Sequence, residues 1–121
     1  MGNTALRMIG DTVLGKGTTF TGAASTAASS GDNTLVAAPS AGNHLVVKEL
    51  MIQNESSTET TIILKSGSTA KWRGKLAANA ALSLGFATGE EWRLGSAEAL
   101  VLNLSGANSH GYSIRYRTEA D

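Results

Sequence analysis

A chain of 121 residues with 10 basic and 10 acidic side chains has the size of one domain and no broad electrostatic field to draw it to nucleic acid, an acidic polymer or a membrane surface. It contains no cysteine, which excludes disulfide staples and thiolate metal sites and leaves packing and oligomerisation to stabilise the fold. Gly, Ala, Ser and Thr dominate, Pro occurs once and aromatics make up 5 %, a mixture that suits short strands joined by tight turns better than a helical bundle.

The opening stretch "MGNTALRMIGDTVLG" lacks the basic start and apolar core of a secretory signal. No segment approaches the roughly 18 consecutive apolar residues of a membrane span, so a soluble chain with no membrane partner is expected. Residues 1 to about 20 scatter Leu6, Met8, Ile9, Val13, Leu14 and Phe20 among glycines without sustained periodicity, and read as an extended arm. "TGAASTAASSGDN" follows, open to a flexible linker or a weak first strand, with a strand favoured over part of its length. The resulting division is an arm or linker over 1–28 and a β-sandwich domain over 29–121.

From Thr34 the strand signals become regular. "TLVAA" is stopped by Pro39, "SAGN" turns the chain, and "HLVVKELMIQN" carries apolar side chains at both parities, as expected if one face meets the core and the other a second layer or subunit. "TTIILKS" is β-branched and strand-like, and "TAKWRGKL" sets Trp72 between Lys71 and Arg73. "AALSLGF" aligns Ala80, Leu82, Leu84 and Phe86 on one face, which should be buried; a helix over "LAANAALSLGF" is the competing reading, opposed by Gly85 and the alternation. "ATGEEWRLGSAE" is a longer loop carrying Trp92 and Arg93. Beyond it, Leu100, Leu102 and Leu104 share one face, and Tyr112, Ile114 and Tyr116 share another. Ser105–Ser109 between them predicts the bend of a hairpin, with His110 starting its second strand. About seven or eight strands at spacings near ten residues predict an all-β fold, an antiparallel β-sandwich of jelly-roll-like or immunoglobulin-like kind with an extended N-terminal arm.

Catalytic chemistry finds little to work with. His44 and His110 are the two histidines, too few for a zinc site without scattered carboxylates at no recognisable spacing. No G-x-S-x-G elbow occurs, and "GDTVLGKGTT" places Gly17 after Lys16 where a phosphate loop needs Ser or Thr. No enzyme activity, metal or cofactor is expected. Glu90 and Glu91 are adjacent and read as a solvated loop. Lys71, Arg73 and Lys75 share one parity and read as a solvated face or a protein interface. Trp72 and Trp92 fit equally a core cap and a contact surface, since tryptophan supplies large area at interfaces.

Taken together and in order, "GDNTLVAA", "AGNHLVV", "LKSGST", "LAANAALSL" and "EALVLNLSGANSHGYSIRY" resemble a family of small β-sandwich structural proteins of tailed bacteriophages, over residues 29–117. The resemblance implies a virion component, assembled in the host cytoplasm and commonly trimeric. Such proteins decorate and cement the capsid by binding the major capsid protein, or sit in tail and fibre assemblies. An arm able to lie across a neighbour suits the cement role, with Leu6, Met8, Ile9, Val13, Leu14 and Phe20 as contacts. A tail or fibre role would instead use Trp72 with Arg73, or Trp92 with Arg93, to recognise a host-surface glycan or receptor.

Overall fold

Period-two alternation becomes strand wherever turn residues bound it. The computed structural model describes residues 20–121, and these form nine strands: β1 (Thr21–Ala27), β2 (Gly31–Val36), β3 (Asn43–Asn54), β4 (Thr60–Ser66), β5 (Thr69–Leu76), β6 (Ala81–Gly85), β7 (Trp92–Arg93), β8 (Leu100–Leu104) and β9 (His110–Ala120). One sheet has the order β1-β9-β3-β6, with β7 pairing the start of β3; the other has the order β2-β8-β4-β5. All pairings are antiparallel. Gly42, at φ 85°, supplies the left-handed residue that turns the chain into β3, and Gly67, at φ 57°, does so between β4 and β5.

The two sheets share one core. Leu45, Val47, Leu50, Ile52 and Ile114 come from the β1-β9-β3-β6 sheet, and Ile62, Leu64, Leu100, Leu102 and Leu104 from the other. β4 shows how the sequence builds it: Thr60, Ile62, Leu64 and Ser66 are buried while Thr61, Ile63 and Lys65 stay partly exposed. Each fully buried aliphatic side chain contributes about 1.5–3 kcal/mol. Asn54 is buried without cost to its amide, which donates to the carbonyls of Thr58 (2.8 Å) and Leu76 (3.1 Å) and accepts from the Ser56 amide and hydroxyl.

Four expectations change. The apolar residues at both parities of β3 do not make two apolar faces. The β3–β9 ladder shifts register between Val47 and Glu49, so Lys48 is an extra residue that reverses the parity. Leu45 and Val47 before it, and Leu50 and Ile52 after it, therefore face the same core, while Met51 is left 56 % exposed on the outside.

Residues 21–27 are β1, paired one-to-one with Tyr116 through His110, so the strand favoured over part of "TGAASTAASSGDN" is present and it is the division at residue 28, which puts it in the arm, that moves. Leu82 and Leu84 of β6 are half-buried rather than buried, because β6 lies at a sheet edge, and a strand rather than a helix occupies this segment. Ser105–Ser109 is not a hairpin bend, since β8 and β9 lie in different sheets and the bend carries the chain from one to the other. His110 does begin β9, inside the core.

Candidate docking surfaces

The end of β9 alternates charged side chains, Arg115, Arg117 and Glu119, on the face away from the core. Register sets Arg117 opposite Val46 and Glu119 opposite His44, while β7 sets Arg93 opposite Val46 from the other side. A charge network results. Arg117 bonds Glu119 through Nη2 (2.6 Å) and Nε (2.7 Å) and pairs with Glu91 at 3.6 Å. Arg93 donates to Glu119 at 3.1 Å and lies 3.2 Å from His44 Nε2. His44 Nδ1 is 2.8 Å from Asp121, whose second carboxylate oxygen accepts from the Ser96 hydroxyl. Phe20 covers the cluster, its ring centroid 5.1 Å from the Arg117 guanidinium carbon.

Burial pushes the Glu91 carboxyl up, but the amides of Glu91 and Gly89 and the charges of Arg117 and Lys48 outweigh it and hold the group below the usual carboxylate range. Glu119 behaves alike, burial opposing and the Arg117 hydrogen bond and charge prevailing. Hydrogen bonds from Ser96 and His44 lower Asp121. Every ionised group here has a partner, so the network clamps β3, β7 and β9 together and offers no free acid or base. It also corrects the reading of Glu91 as a solvated loop residue: its side chain is 3 % exposed.

The other predicted contact residues are dispersed. Leu6, Met8, Ile9, Val13 and Leu14 lie outside the described residues. Trp72, on β5, is half-buried against the core, and Arg73 beside it is exposed on the opposite face. Trp92 is half-buried from the other sheet and stacks on Phe86, centroids 5.3 Å apart, while Arg93 is drawn into the charge network. The two tryptophans thus belong to different sheets and do not form one platform. Phe20 and the network it covers are the parts that sequence alone leaves unconnected.

The outer sheet faces differ. On the β1-β9-β3-β6 sheet, one row runs Ala24, Ser113, Met51, Ser83, and shallow depressions flank Met51. On the other sheet, Lys65 and Asn103 both bond Asp32, at 3.0 and 2.7 Å, and those two bonds hold its carboxyl below the usual range. Lys71, Arg73 and Lys75 project from β5 beside them, exposed.

Buried His110 donates from Nδ1 to the Asn108 carbonyl at 2.8 Å, while its Nε2 has no hydrogen-bond partner. It is a core residue, closed off from any substrate. Among the described residues no group of three or more His, Cys, Asp or Glu is placed to hold a metal ion. No protein-family model matches the chain, and no curated protein matches it either.

Proposed function

We propose that the chain is a virion structural protein that decorates and cements a phage head, binding the major capsid protein as a homotrimer and residing in the virion. The observation that carries this reading is the strand order. β1-β9-β3-β6 facing β2-β8-β4-β5 is the pairing expected of an eight-stranded jelly roll with β7 as an addition, an architecture common in viral capsid and lectin domains. Fold alone does not assign a role. The resemblance of the strand-forming stretches to phage sandwich proteins narrows the class, and the dispersal of the polar groups suits a passive subunit rather than an enzyme.

A cement protein needs only modest contacts per subunit, because an oligomer that grips several capsid subunits gains affinity through effective concentration. Phe20 packs on Arg117 at the outside of the sandwich, and the sequence before it supplies Leu6, Met8, Ile9, Val13 and Leu14 as apolar contacts. Burying each large apolar side chain of that segment against a partner is worth roughly 1.5–3 kcal/mol.

Deletion of residues 1–19, keeping Phe20, tests this. The truncated protein should fold, and its co-sedimentation with purified heads should drop. Binding as tight as that of the intact chain removes the arm from the mechanism. A glycan-array signal abolished by Trp72→Ala or Trp92→Ala, with no binding to heads, would transfer the protein to a tail or fibre.

A further inference from the structure

An open strand edge presents a row of unpaired N–H and C=O groups, and proteins block such edges with charge, proline or bulges. The β2-β8-β4-β5 sheet is blocked at both sides. Lys71, Arg73 and Lys75 stand along β5, and β2 carries Asp32 and a register irregularity between Thr34 and Val36. The other sheet is not. Its edge strands Thr21–Ala27 and Ala81–Gly85 contain no charged residue and no proline, and both ladders to their neighbours are regular; the charged Arg93 of β7 lies on the β6 side too, but beside Val46, beyond the row of β3 residues that pair with β6. Among the described residues no strand pairs with the far side of β1 or β6.

These two edges are matched in direction. β1 is antiparallel to β9, β9 to β3 and β3 to β6, so β1 and β6 run opposite ways at opposite sides of one sheet. A second copy set alongside in the same sense brings its β1 antiparallel against β6 of the first. The side chains permit the approach. Gly22, Ala24 and Thr26 on β1, and Ala81, Ser83 and Gly85 on β6, are small and exposed on the outer face. On the inner face, half-buried Leu82 and Leu84 sit at the rim of the core, where an added strand would complete their cover.

We propose that copies of this chain join head to tail, β6 of one pairing with β1 of the next, so that the β1-β9-β3-β6 sheet runs on from subunit to subunit. Each copy contributes two different surfaces, so assembly does not stop at a dimer but proceeds to a ring, or to a filament if the rotation fails to close. A ladder of this length is a small interface, and closure, in which every copy is held twice, stabilises the assembly. The pairing stands on the two edges and does not depend on a place in the virion.

The absence of cysteine makes the test direct. Ala24→Cys and Ser83→Cys each introduce a sole thiol at an exposed position of the same cross-sheet row. With the full chain and a short bis-maleimide, an equal mixture of the two single variants should yield covalent dimers far faster than either variant alone. The double variant should yield covalent species beyond the dimer. Ala24→Lys or Ser83→Lys should weaken assembly several-fold in sedimentation velocity, and Ala24→Lys combined with Ser83→Glu should restore it. Circular dichroism would check that each variant keeps its strands. Cross-linking of either single variant as fast as the mixture would overturn the pairing in favour of two-fold contacts. A chain that stays monomeric at every concentration, with no cross-linked product, would overturn it outright.

Discussion

Arg117 and Glu91 form an ion pair, 3.6 Å between Nη1 and Oε2, with 8 % and 3 % of their side chains exposed. Removing the cation leaves a buried carboxylate with much of its charge compensation gone, whereas removing the carboxylate leaves Arg117 still bonded to Glu119. Arg117→Leu should therefore cost about 3–5 kcal/mol, and Glu91→Gln about 1–2 kcal/mol, in urea unfolding. Equal losses would show that the pair does not act as described.

The same carboxylates set the acid limit. Glu91 and Glu119 are held below the ordinary range in the fold, so their stabilisation is complete above the unfolded-state value of about 4.3 and is lost as pH falls through the lower folded values. The urea midpoint should stay level from about pH 7 to pH 5 and drop below about pH 4. The difference between the wild type and Glu91→Gln should shrink over that drop, since both side chains are then neutral. A difference that persists unchanged at acid pH would assign the effect to shape rather than charge.

Deleting Lys48 should prevent folding. Without the extra residue, either Leu45 and Val47 or Leu50 and Ile52 must turn away from the core. Lys48→Ala keeps the bulge and loses a long 3.5 Å contact with the Thr88 hydroxyl and the smallest of the influences that lower Glu91, so it should change stability by less than about 1 kcal/mol. Thermal melts of the two variants decide the matter, and a cooperative transition in the deletion would refute the parity argument.

Trp72 lies along its own strand over Gly74, where an added Cβ would come within 2.6 Å of the indole Cη2. Gly74→Ala must displace a ring that packs against the core, at a cost of about 1–3 kcal/mol and with a shift in tryptophan emission. In a Trp72→Leu background the same change should cost much less, and a double-mutant cycle measures the coupling. Additive effects would mean that the ring yields freely.

How much of this could be read from the chain depends on where the signal lay. β9 alternates strictly in "YSIRYR" and β8 repeats leucine at period two in "LVLNL", so their strands and inward faces were visible, while "TTIILKS" showed β4 as a strand through its β-branched residues without showing which face turns inward. β1 was faint because "TGAASTA" has little intrinsic preference for strand and owes its conformation to pairing with β9. The bulge at Lys48 was hidden because a parity change and two apolar faces produce the same pattern. The hairpin expected at Ser105–Ser109 followed from adjacency, but neighbouring runs in sequence can belong to opposite sheets. The network joining Glu91, Arg117 and His44 arises only from register, and no spacing announces it.

Phe20, stacked on Arg117, and Asp121, bonded to His44, lie at the same end of the sandwich. The bends after β1, β3, β5 and β8 all lie at the other end, where Ala27 pairs with His110 and Thr60 with Leu76. Phe20 and Asp121 thus mark one pole of the sandwich, and four short loops mark the opposite one. Foreign peptides spliced into those loops would sit at the pole away from Phe20 and Asp121, which makes the domain a scaffold for display.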